Sequence, residues 1–129
     1  MRLYGIEGSP NTWKVRAVAH HVGLPLEFHA VDVFKGENRT PDYLAMNPTG
    51  RTPVLVDGAT TLWESTAIMH YLAATARSTL LPADRLAAAE VLRWQSWQLA
   101  HWGKEACEPL AFEQMLKPMF GLGATDAAV

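Results

Sequence analysis

The sequence predicts an α/β domain, one mixed sheet with helices on its faces, followed by an all-helical segment. Three observations predict it. Over residues 1–77, strand alternation and helical periodicity follow one another as β-α-β, a short helix, then β-β-α. Within that stretch, Arg51-Thr52-Pro53-Val54-Leu55-Val56-Asp57-Gly58 and Leu62-Trp63-Glu64-Ser65-Thr66-Ala67-Ile68 place a proline-led apolar strand beside a strand that runs into a helix. From Arg85 the composition changes to Ala, Leu, Trp, Glu and Gln at helical spacing.

Arg2 to Ile6 reads as the first strand, and Glu7 to Thr12 as a loop, with Thr12 suited to cap the next helix. Trp13 to Val22 is helical, with Val15, Val18, Ala19 and Val22 on its core stripe. Gly23 and Pro25 end it. Leu26 to Val33 alternates around Phe28, Ala30 and Val31, a second strand. Phe34 to Thr40 is a polar loop carrying Lys35, Glu37, Asn38 and Arg39. Pro41 to Met46 is a short helix with proline at its tolerated first position. Strands at Pro53–Val56 and Thr61–Trp63 flank an Asp57-Gly58 turn. A proline cannot donate to a ladder, so it belongs at a strand's first residue, and the Thr52-Pro53 bond can be cis. The next helix runs from Ser65, its expected N-cap, to about Ala76. Its free N–H groups form an anion site, so a peptide-like ligand fits the proline-led edge with a carboxylate at Ser65.

Residues 78–84 read as a linker with Pro82, and Asp84 as an N-cap. One long helix is expected from Arg85 to about Glu108, stopped by Pro109. Phe112 to Phe120 adds a second piece interrupted by Pro118, and Gly121 to Val129 is expected to fray. The long helix is apolar on most sides and wants partners on more than one face. The expected domains are therefore 1–77, a linker at 78–84, and a partial, truncated all-α domain at 85–129.

Composition narrows the function. The net charge is −2 with both signs mixed, which leaves no nucleic-acid footprint. No apolar stretch is long enough to span a membrane, and the N-terminus is too quickly polar for a signal peptide. The lone Cys107 cannot build a disulfide framework, which points to a reduced, cytoplasmic setting. The five histidines lack ligand spacing, so no metal is expected.

Ser9-Pro10-Asn11-Thr12 stands between the first strand and the first helix. In thiol oxidoreductases a Cys-Pro-x-Cys pair occupies such a place, because a helix N-terminus lowers a thiol's pKa. Here the cysteine positions hold Ser9 and Thr12, so the site can only stabilise a thiolate brought by a ligand. A free thiol has a pKa of about 8.5, and each unit of lowering corresponds to about 1.4 kcal/mol.

Ser9-Pro10-Asn11-Thr12-Trp13-Lys14-Val15-Arg16, Asn47-Pro48-Thr49-Gly50-Arg51-Thr52-Pro53-Val54-Leu55 and Glu64-Ser65-Thr66-Ala67-Ile68 together resemble the cytosolic glutathione transferases. The resemblance covers residues 1–77 in order and spacing, and the helix from Asp84 resembles the first helix of that family's all-helical domain. The first motif is similar to serine-type classes and to the bacterial Nu class. Phe34 to Arg39 resembles the phi-class loop, although a histidine usually stands where Asn38 is. The resemblance implies a thioredoxin-like first domain and glutathione as co-substrate. It gives Ser9 the hydrogen bond to the glutathione sulfur, with Asn11 as second donor or substitute. Asn38, Arg39 and Arg51 approach the glycyl carboxylate, and the Thr52 backbone pairs with the cysteinyl unit. Glu64 meets the γ-glutamyl ammonium and Ser65 its carboxylate. It further implies a homodimer, an apolar electrophile or small disulfide as second substrate, and a detoxifying transferase, a disulfide reductase or a non-catalytic module as alternatives. Simpler roles stand beside these: Ser9 as turn residue, Asn11 as helix cap, Arg39 and Arg51 as solvated charges, Asn47 as a turn cap before Pro48, and the Trp stripe as core.

Overall fold

The computed structural model describes residues 1–126. The chain divides into two compact units, Met1–Leu81 and one that begins at Pro82. The first unit runs β1 (Arg2–Gly5), α1 (Pro10–His21), β2 (Glu27–Ala30), a 3₁₀ turn (Glu37–Arg39), α2 (Pro41–Met46), β3 (Val54–Asp57), β4 (Thr60–Trp63) and α3 (Ser65–Thr75). The strands form one mixed sheet in the order β2-β1-β3-β4. β1 pairs with β2 in parallel and with β3 antiparallel, and β3 pairs antiparallel with β4. This is the expected thioredoxin-like α/β arrangement, with a helical part following it.

Strand alternation sorts the sheet's two faces. The register aligns Phe28, Leu3, Leu55 and Leu62 across all four strands. Leu3 and Leu55 pack with Val15 and Ala19 of α1 and Ile68 and Leu72 of α3. The other face gathers Val31, Val54 and Tyr43 of α2, with Tyr4, Val33 and Met46 around them. Gly5 ends β1 where Thr12 of α1 closes in. A Cβ on Gly5 would lie 2.6 Å from Thr12 Oγ1 and 2.9 Å from its Cγ2.

Several expected boundaries move. The first helix starts at Pro10, not Trp13, and Ser9 is its N-cap. Proline served as a loop marker in the sequence, yet at the first helical position its fixed φ suits the helix and its missing N–H costs nothing. Thr12 is therefore not a cap; it lies fully buried one turn inside, and its Oγ1 has no hydrogen-bond partner. β2 is shorter than the alternation suggested, ending at Ala30. Ser65 is the first residue of α3, not its cap. Glu64 is the cap, at φ 72° and ψ 114°. The Thr52–Pro53 peptide is cis, as anticipated.

In the second unit, Asp84 caps α4 (Arg85–Trp97), its Oδ1 accepting the Ala87 N–H at 2.9 Å. The helix does not stop at Pro109. Helical backbone continues over 85–120, with wide π-type turns at Gln98–Cys107 and Phe112–Leu116. A proline clashes with the carbonyl four residues earlier. For Pro109 and Pro118 those are Glu105 and Gln114, and both lie in the wide turns, where the ladder is already loosened. Trp94 meets Trp97 edge-on at 5.6 Å, and Trp97 stacks on Trp102 at 6.0 Å. Beyond Gly121 the chain does not simply fray up to Asp126. The Asp126 N–H donates to buried Glu113, which also pairs with Lys117 at 2.7 Å. Residues 127–129 of the segment expected to fray lie outside the described residues. Among the described residues no helix is long and apolar enough to cross a membrane.

Gly5→Ala is expected to destabilise the chain by about 1–3 kcal/mol through overpacking against Thr12. Adding Thr12→Ala removes both clashing atoms and should recover most of that loss. Urea denaturation of the two single mutants and the double mutant measures the coupling; simply additive costs would disprove the contact.

Candidate functional site

The register places three chain segments at one end of the sheet. Tyr4, one residue before the end of β1, pairs with Val54, the first residue of β3, and Val54 pairs with Trp63, the last of β4. The loop to Ser9, the Thr52-Pro53 pair and the Glu64-Ser65 corner therefore emerge together. α1 and α3 pack side by side, so their N-termini meet there as well. Ser65 Oγ donates to Asn11 Oδ1 across this seam at 3.4 Å.

Ser9 has extended backbone at φ −77° and ψ 127°, and its hydroxyl makes no cap hydrogen bond. Its backbone is held instead: its N–H donates to Ile6 O at 3.1 Å, and its carbonyl accepts from Trp13 N at 2.9 Å. The hydroxyl stays available at a helix N-terminus, where N–H groups and the dipole favour an anion. Asn11 is exposed, and Ser65 is buried with its hydroxyl turned to α1. Glu64 is exposed and sits in a region of backbone space that costs a non-glycine residue of the order of 1–3 kcal/mol. The ladder pairing of Trp63 with Val54 on one side and the buried Ile68 of α3 on the other hold it there.

A second group frames the Thr52 side. Asn47 is buried, and its Nδ2 donates to Arg51 O at 2.8 Å while its Oδ1 accepts from Thr49 N and Oγ1. The Tyr43 hydroxyl donates to the same Arg51 carbonyl at 3.0 Å. Asn38 Nδ2 donates to Gly50 O at 2.7 Å. Gly50 has φ +64°, and a Cβ there would lie 2.6 Å from Arg39 Nη1. Asn38, Arg39, Arg51 and Thr52 thus form one cluster, with the Asn38 amide partly engaged by backbone. Arg51 is an exposed residue, while its carbonyl accepts from Tyr43 and Asn47.

Residues 8–75 match the family model described as "Glutathione S-transferase, N-terminal domain". The chain belongs to the glutathione S-transferase family. It is 41% identical over 132 residues to a protein named Glutathione S-transferase 3 from Zea mays, covering 100% of this chain and 58% of that protein. Among solved structures, a glutathione S-transferase I bound with lactoylglutathione superposes with a TM-score of 0.88 at 30% identity, over 98% of this chain and 60% of that one. A theta-class glutathione S-transferase from Xanthomonas axonopodis pv. citri, with glutathione bound, gives 0.86 at 31% identity, over 98% and 59%. The chain thus spans about three fifths of the length of these relatives.

The polar residues at this end of the sheet carry charges of both signs. Arg39 and Arg51 offer cations at one end, and Glu64 an anion at the other beside two converging helix N-termini. One site residue escaped the sequence reading. Lys14 lies one turn beyond Asn11 on α1, on the side facing Glu64. Burial pushes its ammonium below the usual 10.5, and the Glu64 carboxylate opposes that shift. The three-residue spacing from Asn11 was the available signal, but the partner lies fifty residues away in the chain.

The Lys14 shift has a defined sign. The unfolded chain keeps its Lys14 proton up to about 10.5 while the folded chain releases it earlier, so stability rises with pH in the window just below 10.5. Tyr43 has the opposite sign: burial pushes it from 10.0 up to about 12, so it loses stability as pH rises past 10.0. Lys14→Met should abolish the rise below 10.5 and leave the Tyr43 decline. Urea midpoints of both proteins across alkaline pH test this, and parallel curves would refute it.

Proposed function

We propose that this chain carries the glutathione-binding half of a glutathione transferase and activates the glutathione thiolate for attack on an electrophilic small molecule. The observation that carries this reading is the meeting of the α1 and α3 N-termini, with Asn11 bonded to Ser65 and the Ser9 hydroxyl not used by its own helix. Ser9 is the serine-type donor to the sulfur, and Asn11 the second. The γ-glutamyl carboxylate takes the Ser65 N–H and hydroxyl, and Glu64 takes the ammonium. The Thr52 backbone holds the cysteinyl unit, and the glycyl carboxylate meets Arg39, Arg51 and Asn38. Donors aimed at the sulfur stabilise the thiolate over the thiol, which lowers its pKa. The thiolate then attacks an electrophilic carbon, and the leaving group departs with the bond's electrons. The proposed co-substrate is an apolar electrophile.

The domain reading stays as proposed: a glutathione-binding domain at 1–77, a linker at 78–84, and a helical domain begun at 85. A homodimer in the cytoplasm is the proposed working form. Light scattering of the purified chain reads the assembly directly, and a monomer at working concentrations would rule the dimer out.

Ser9→Ala with Asn11→Ala should raise the pKa of bound glutathione by about one to two units and slow conjugation of a chloronitrobenzene about ten- to a hundredfold. Thiolate absorbance against pH and the conjugation rate are the measurements. An unchanged thiol pKa in the double mutant removes the proposed sulfur site. Turnover of a small disulfide by glutathione without conjugation would point to a reductase, and failure to bind immobilised glutathione to a non-catalytic module.

A further inference from the structure

Tyr43 of α2 brackets the Thr52-Pro53 pair. Thr40 caps this short helix, its Oγ1 accepting the Tyr43 N–H at 3.3 Å. The Tyr43 side chain is buried in a cluster with Val31 and Val54, and Val54 follows Pro53 directly. Its hydroxyl donates to Arg51 O at 3.0 Å, just ahead of Thr52. Asn47 Nδ2 donates to the same oxygen at 2.8 Å. Asn47 is itself oriented, because its Oδ1 accepts from Thr49 N at 3.0 Å and from Thr49 Oγ1 at 2.8 Å. Both lone pairs of the Arg51 carbonyl are therefore occupied.

We propose that Tyr43, with Asn47 as its partner donor, is a positioning residue for the ligand's cysteinyl unit and acts through the Arg51–Thr52 peptide. The proposal rests on the glutathione reading above, in which the Thr52 backbone holds that unit. Carbonyl oxygens accept over a broad range of directions, so one donor leaves a loop peptide's plane poorly defined. Two converging donors define it. The Arg51–Thr52 peptide is trans, so its C=O and N–H point to opposite sides. Holding the carbonyl toward α2 turns the Thr52 N–H the other way, as a donor for the cysteinyl carbonyl. Burial pushes the Tyr43 hydroxyl up to about 12, so it stays protonated and donating through the neutral range. Core packing alone has no need of that hydroxyl, since a phenylalanine ring fills the same space beside Val31 and Val54.

The test titrates the whole chain calorimetrically with two ligands. One is S-methylglutathione; the other is its analogue with a trans-alkene in place of the cysteinyl–glycyl amide, which removes the ligand carbonyl. Tyr43→Phe keeps the ring and deletes the hydroxyl. It should weaken S-methylglutathione about three- to tenfold and the alkene analogue by less than about twofold. A purely structural role weakens both ligands alike, and that result would overturn the proposal. Unchanged affinity for S-methylglutathione in Tyr43→Phe would overturn it too. Thr49→Val loosens the Asn47 donor and keeps the clamp testable should Tyr43→Phe fold poorly, with the same selective loss expected and an equal loss again counting against it. No binding of S-methylglutathione to the unmodified chain would instead remove the glutathione reading, and this proposal with it.

Discussion

The packing of α1 against α3 over Leu3 and Leu55 is the constraint on which the rest of the first unit depends. Leu3, Val15, Leu55, Ile68 and Leu72 are all essentially fully buried along this seam. Each such side chain contributes about 1.5–3 kcal/mol from burial. The Asn11–Ser65 hydrogen bond at 3.4 Å is long and contributes less than the roughly 0.5–1.5 kcal/mol of a good one. Apolar packing therefore brings the two helix N-termini together, and the polar contact is a consequence of it. The site inherits its geometry from the core, and Thr12, buried with an unpartnered hydroxyl, packs in the same region against Gly5.

The electrostatics at this seam favour an anion, but modestly. One helix N-terminus is worth about 0.3–1 kcal/mol toward a negative charge. A single unit of thiol pKa requires about 1.4 kcal/mol. Helix ends alone fall short of a large shift, so a directional donor such as the Ser9 hydroxyl has to contribute. Lys14 adds a cation whose charged form burial already disfavours, with Glu64 as its counterweight. Glu64 therefore serves two masters in the proposed complex, the lysine on α1 and the ligand's ammonium.

The opposite side of the site depends on hydrogen bonds more than on apolar burial. The segment from Asn47 to Thr52 has little regular structure, so its backbone groups need other partners. Tyr43 and Asn47 both donate to the Arg51 carbonyl, and Asn38 donates to Gly50. Tyr43 belongs also to the second core cluster, which ties this loop to the sheet. The two halves of the site thus rest on opposite faces of one sheet.

Much of this was legible in residue order. Alternation around Leu3 and Leu55, the helical stripes of α1 and α3, and the proline before β3 are local patterns with local causes, and they specified the mixed sheet and its helices. Ser9 and Ser65 were readable as candidates because each sits at a helix N-terminus, while Thr52 and Glu64 were implied by the family resemblance. The errors were local ambiguities that only neighbours resolve. Pro10 opens a helix, because the first turn has no use for its N–H. Pro109 and Pro118 pass through a helix, because the wide turns before them give way. Ser65 is not the cap, because the backbone turns at Glu64 and Ser65 is already helical. By itself the sequence determined which segments form strands and helices and which residue types stand at their ends, since these depend on periodicity and backbone preference. Only the tertiary structure decided that Lys14 faces Glu64 and that Arg16 is held between Trp13 and Phe28. The pairings of Lys14 with Glu64 and of Arg16 with Phe28 join different elements, and packing against a common core is what brings those elements together.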